Sequence, residues 1–164
     1  MKFDGDTKAF SKFLKIEPGQ SVSGVFRGEP LFYACKEVDK KTVPCPPSDP
    51  QAKARFKVNF IMKQKDLSYK SFVWEQSGGV YNALKTLNED FPLETTIVKI
   101  SREGSGLKTK YTILPNGSNF KVSPELDTLL NDVQLIKLDV GTPDEDAQAF
   151  PPEEATENNE DLPF

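Results

Sequence analysis

Cations and flat rings alternate in two short stretches of this 164-residue chain, and histidine is absent altogether. Without imidazole the chain lacks the commonest general base, the commonest metal ligand and any Ser-His or Cys-His nucleophile pair. What it does carry is Arg55 and Lys57, with Lys63 beyond them, and then Lys70, Phe72 and Trp74 at a spacing of two. In an extended strand, residues spaced by two share a face. Cations beside rings suit single-stranded nucleic acid, because charge tracks the phosphates while each unpaired base stacks for ~1–3 kcal/mol. On this reading Phe72 and Trp74 face outward, and Tyr69, Ser71 and Val73 face inward. The competing reading puts both large rings in the core, since a slip of one residue exchanges the two sets.

The second stretch holds Lys99, Arg102, Lys108, Lys110 and Tyr111 around Gly104-Ser105-Gly106. One reading is a basic finger closing over a bound strand, its glycines permitting close backbone approach. The other is an ordinary hairpin with solvated lysines and Tyr111 in the core. Gly-Ser-Gly is too short to define a phosphate-binding loop. The binding reading expects Arg55, Lys57 and the cations of residues 99–110 to line one channel, with Lys63 and Lys70 also holding phosphates. Phe72, Trp74, Tyr33 and Tyr111 are its candidate stacking platforms. Cys35 and Cys45 are two thiols where a structural zinc site wants four Cys or His ligands, so neither a metal nor another cofactor is expected.

Charge is divided along the chain as well. All 21 Lys and Arg lie in residues 1–138 against 16 acids, a net charge of +5, whereas residues 139–164 hold nine acids and no base. The overall charge of -4 averages two opposed regions, a pattern that points to a nucleic-acid-binding body with an acidic tail. The tail has four prolines and few large apolar residues, so it is expected to be disordered. It ends Asp161-Leu162-Pro163-Phe164, with two large apolar residues at its tip. They suit an apolar pocket ringed by basic residues on a partner, the alternative being a solubilising tail with an arbitrary end. Before it meets a partner, such a tail is expected to fold back and compete with nucleic acid.

The elements that must position these residues can be read from periodicity. Ser21–Phe26 and Leu31–Tyr33, broken by Gly28-Glu29-Pro30, predict a first, bent strand. Residues 35–54 then read as a long loop. Arg55–Phe60 alternates strictly and predicts a second strand, and residues 67–75 a third. Ser77 is a candidate cap for a helix carrying Val80, Ala83, Leu84 and Leu87. Thr95–Arg102 and Thr109–Leu114 predict a fourth and a fifth strand. Ser123 and Pro124 open a last helix with Leu126, Leu129, Leu130 and Val133 on one side. Three strands, a helix and two strands is the order of the OB-fold, whose second and third strands and 1–2 and 4–5 loops bind oligonucleotides or oligosaccharides. The expected architecture is therefore mainly β. It is a five-stranded OB-fold barrel with a helix between strands 3 and 4, flanking N- and C-terminal helices, and the acidic tail. Residues 1–138 form the binding domain and 139–164 the tail.

The tip Asp161-Leu162-Pro163-Phe164 resembles the acidic end of bacterial single-stranded DNA-binding proteins, with Leu162 in place of their usual isoleucine. The body resembles instead the single-stranded DNA-binding proteins of tailed bacteriophages, through the hairpin from Ile100 to Pro115 and through Phe72-Val73-Trp74-Glu75 before a helix. The likeness covers roughly residues 10–135 and the last four. It implies coating and protection of single-stranded DNA in replication, recombination or repair inside an infected bacterial cell. It also implies an OB barrel with no catalysis of its own and recruitment of a polymerase, helicase, primase or nuclease through the tail. The zinc site of some phage relatives does not suit a chain without histidine.

At 28% charged and 37% hydrophobic, with a mean hydropathy of -0.51, the chain reads as one soluble domain with a modest core. No apolar run approaches the ~18 residues of a membrane span. Met1–Asp6 meets acid at once, unlike a signal peptide, so a cytoplasmic protein with reduced cysteines and no membrane partner is expected. Two rival classes stand beside the first: an RNA-binding or protein-binding OB module, and a metal-dependent nuclease. The nuclease would need clustered carboxylates, whereas the acids of the body are scattered among turns and termini. Whether the protein forms a homo-oligomer is left open by the sequence.

Overall fold

The computed structural model describes residues 12–140, and the tail tip Asp161–Phe164, with most of the tail, lies outside them. Six strands form one antiparallel sheet: β1 (Ser21–Val38), β2 (Lys41–Pro44), β3 (Lys53–Lys63), β4 (Tyr69–Ser77), β5 (Val98–Glu103) and β6 (Lys110–Pro115). Two helices accompany it, α1 (Gly78–Asp90) between β4 and β5, and α2 (Pro124–Asn131) after β6. The order across the sheet is β4-β3-β1-β5-β6, with β2 on the side against β1. Among the described residues no ladder joins β4 to β6, so the sheet is not closed.

Strand β1 is longer than its sequence pattern predicts, and the Gly28-Glu29-Pro30 break is a shift within it. Val25, Phe26 and Arg27 pair with Ile61, Phe60 and Asn59, and the register then moves before Leu31 meets Lys57. Pro30 cannot donate to a ladder, and Gly28 takes φ +83°, so the strand bends here without ending. Ser21–Gly24 pair with β5 and Val25–Cys35 with β3.

The predicted loop at 35–54 is in large part a hairpin. Cys35–Val38 pair with Lys41–Pro44, and both turn residues, Asp39 at φ +51° and Lys40 at φ +66°, are left-handed. That is the signature of a two-residue type I′ turn, hidden from the sequence because Asp-Lys replaces the usual Asn-Gly.

The main core holds Phe26, Phe56, Phe60, Trp74, Val98 and Ile100, with Leu84 of α1 packed against it. Ser123 caps α2 as predicted, accepting from the Leu126 N–H at 3.1 Å. Ser77 stands at the α1 N-terminus, but its hydroxyl makes no cap. The N-terminal helix is not seen in the described part. Residues 12–17 run extended and 18–19 turn, with Lys12 and Leu14 hydrogen-bonding Val73 on the β4 edge and Gly19 and Gln20 bonding Arg102 of β5.

Gly24 marks a close approach of β1 to β3. A methyl group there would meet the Ile61 carbonyl oxygen and come within 2.7 Å of the Phe60 ring. The Gly24→Ala protein is expected to lose ~1–3 kcal/mol or more of stability, read as a lower denaturant midpoint. An unchanged midpoint would disprove the close packing of β1 on β3.

Candidate nucleic-acid interface

Alternation along β3 sends Phe56, Val58 and Phe60 inward and Arg55, Lys57 and Asn59 to the outer face, as the sequence predicts, and Ile61 follows them there. Register then fixes their neighbours: Tyr33 of β1 opposite Arg55, and Glu75 of β4 opposite Lys57. Glu75 is fully buried, and it accepts from Arg55 Nε at 3.3 Å and from the Tyr33 hydroxyl. Burial, and then the adjacent carboxylate, push the Tyr33 hydroxyl far above its ordinary range, so it stays a neutral donor. Arg55 Nη2 is buried without a hydrogen-bond partner among the described residues.

Lys57 is 2% exposed, which the sequence did not foretell. Its ammonium donates to the Asp139 carbonyl at 2.6 Å and lies 5.8 Å from the Tyr33 ring centroid and 6.0 Å from that of Phe13. The cover is residues 134–140, a strap without regular structure that crosses the outer face after α2. Asn59 holds it, donating from Nδ2 to the Ile136 carbonyl at 2.9 Å and accepting the Ile136 N–H at 2.8 Å. Arg27 ties α2 to β1 through Asp127 and Asn131, both at 2.8 Å, which sets where the strap begins. Beside the strap a groove of about 610 Å³ runs past Lys12, Lys70, Ser71, Leu129 and Ile136.

The other predicted residues divide. Trp74 is 1% exposed, in the core, and touches Tyr111 edge-on at 5.4 Å, while Phe72 packs against the same cluster. The outward platform of Phe72 and Trp74 is thus corrected. β4 alternates the other way, and the inner face takes the largest rings because they remove the most apolar surface from water. Tyr111 likewise lies on the core side.

Lys63 and Lys70 are exposed at one end of the β3–β4 pair, the Lys70 ammonium 5.1 Å from the Phe72 ring centroid. Arg102 donates to the Ile16 carbonyl at 2.8 Å. Lys99 and Lys110 stand exposed on β5 and β6, and Lys108 in the turn before β6. Register sets them at different ends of β1, Lys99 opposite Ser23 and Arg55 opposite Tyr33, while α2 sits through Leu130 on Val25 and Ile61. The single channel expected from the sequence is therefore two separate basic groups.

Phe13, Asn59, Ser71 and Glu75 belong to the outer-face group and were not singled out in the sequence. Asn59 had a signal, a short amide of low strand propensity at mid-strand.

Among the described residues no group of three or more His, Cys, Asp or Glu side chains is placed to hold a metal ion. None of their helices is long and apolar enough to cross a membrane. Compared with family models, curated proteins and solved structures, the chain matches none of them.

Cys35 and Cys45 lie close together but in different settings. Burial, the largest influence, pushes the Cys35 thiol up to about 11, while Cys45 is only half-buried. A thiol reagent at pH 8 is expected to modify Cys45 well before Cys35, because the thiolate is the reactive form. Mass mapping of the first adduct to Cys35 would contradict this placement.

Proposed function

We propose that this protein binds single-stranded DNA on the outer face of β3, with little sequence preference and no chemistry of its own. The observation that carries the reading is the alignment of Tyr33, Arg55 and Lys57 on one face, with Arg55 Nη2 unpartnered among the described residues and Lys57 held by a strap that leads into the acidic segment. Arg55 and Lys57 would hold phosphates, and Tyr33 and Phe13 would offer rings for stacking. The strand order β4-β3-β1-β5-β6, the helix between β4 and β5, and the Trp74–Tyr111 contact between the end strands support an OB-type barrel for this face. Lys70 on the wall of the groove and Lys63 at the exposed end of β3 extend the phosphate track, while Lys99, Lys108 and Lys110 form a separate patch that a longer strand would reach.

The tail has two roles in this reading. Its acids, joined to the face through Asp139, compete with DNA, and the tip Asp161-Leu162-Pro163-Phe164 recruits a replication or recombination protein. Such work belongs in the cytoplasm, the host's if the chain is phage-encoded.

Binding is tested by fluorescence anisotropy with a labelled oligo-dT. Arg55→Ala is expected to weaken it and to lower the log–log salt slope by about 0.7, the contribution of one phosphate contact on a single strand. Deleting residues 139–164 is expected to strengthen it, most at low salt. No binding to oligo-dT defeats the reading, and tighter binding to poly-U than to poly-dT shifts it to RNA. Equal affinity with and without the tail removes the competition.

A further inference from the structure

Asn59 is 3% exposed at the centre of the proposed interface, and a buried amide needs partners for both its donor and its acceptor. One residue of the strap supplies both, the N–H and the C=O of Ile136. The Ser71 hydroxyl on the neighbouring strand donates to Asn59 Oδ1 at 2.6 Å, and the Ile136 N–H, which can only donate, with the Ile136 C=O, which can only accept, fixes the oxygen and nitrogen ends of the amide. Asn59 therefore presents to the strap a fixed acceptor beside a fixed donor.

The Watson–Crick edge of every base shows the complementary pair. Thymine has N3–H beside O4, guanine N1–H beside O6, cytosine its amino group beside N3, and adenine its amino group beside N1. Unpaired bases leave that edge free. We propose that Asn59 reads the Watson–Crick edge of an unpaired base once the strap leaves, the Ile136 backbone standing in for the base in the closed state. This rests on the DNA-binding reading and deepens it. Because all four bases offer a donor beside an acceptor, the contact distinguishes a base from no base more than one base from another. The groove past Ser71 and Ile136 gives the base room, and Lys12 and Lys70 on its walls suit the flanking phosphates.

The test compares full-length protein on three oligonucleotides: oligo-dT, the same length built from N3-methylthymine, and an abasic strand. Methylation removes the N3–H and keeps the ring and the phosphates. The wild type is expected to bind oligo-dT about tenfold more tightly than the methylated strand, the scale of one two-point base contact. Asn59→Ala is expected to bind the two alike. That variant also frees the strap and raises affinity for every strand, but the open fraction cancels in the ratio. Ser71→Ala, which leaves the amide in place but free to rotate, is expected to lower the ratio partway, and it serves if Asn59→Ala does not fold. If the wild type binds the abasic strand and both thymine strands with equal affinity, the base-reading role falls while DNA binding stands. If Asn59→Ala keeps the wild-type ratio, the role also falls. If no strand binds, the DNA-binding reading itself has failed.

Discussion

Strand β1 has to satisfy the backbone hydrogen bonds of three neighbours, and most of the molecule follows from how it does so. Its first four residues serve β5, its middle serves β3 and its end serves β2. A straight strand cannot face both halves of so bent a sheet. Gly24 lets β1 pass close over Phe60, and the register shift between Arg27 and Leu31 turns the remainder. The same shift aims Arg27 at α2, so the bend that shapes the sheet also places the helix and the strap that follows it.

The outer face of β3 is polar where a sheet packed on both sides would be apolar. Arg55, Lys57, Asn59, Ser71 and Glu75 are all substantially buried there. Burying such groups is costly unless each finds a partner, and the cost is met in two ways. Glu75 takes Arg55 Nε and the Tyr33 hydroxyl within the sheet, which leaves Arg55 Nη2 as the buried donor without a partner among the described residues. Lys57 and Asn59 reach out to the backbone of residues 136–139. Contacts of the second kind go to a segment without regular structure that takes no part in the ladders of the sheet. In the proposed function it is this segment that gives way to the DNA.

Local pattern made several elements legible. The strict alternation of residues 55–60 identified β3 and its two faces, since period two leaves only the sign of the face to choose. The 3.6-residue spacing around Leu84 identified α1, and Ser123-Pro124 identified the start of α2, because capping is a local event. The hairpin at Asp39-Lys40 was not legible, as its turn depends on left-handed backbone at residues that seldom adopt it. On β4, Lys70, Phe72 and Trp74 share a face by local rule, but which face depends on what lies opposite. The core side won them because Phe26, Phe56 and Tyr111 surround Trp74 there.

By itself, the sequence determined the order of five of the six strands and of the two described helices, the alternation that groups Arg55 with Lys57, and the split between a basic body and an acidic end. These are properties of neighbouring residues, settled by backbone period and by charge. Only the tertiary structure decided that Trp74 is buried, that Lys99 and Lys110 stand apart from Arg55, and that Asn59 and Lys57 are held by residues 136–139. Those facts depend on contacts between segments up to 82 residues apart. No local rule encodes such contacts, because they arise only when the bent sheet brings the strap across its outer face.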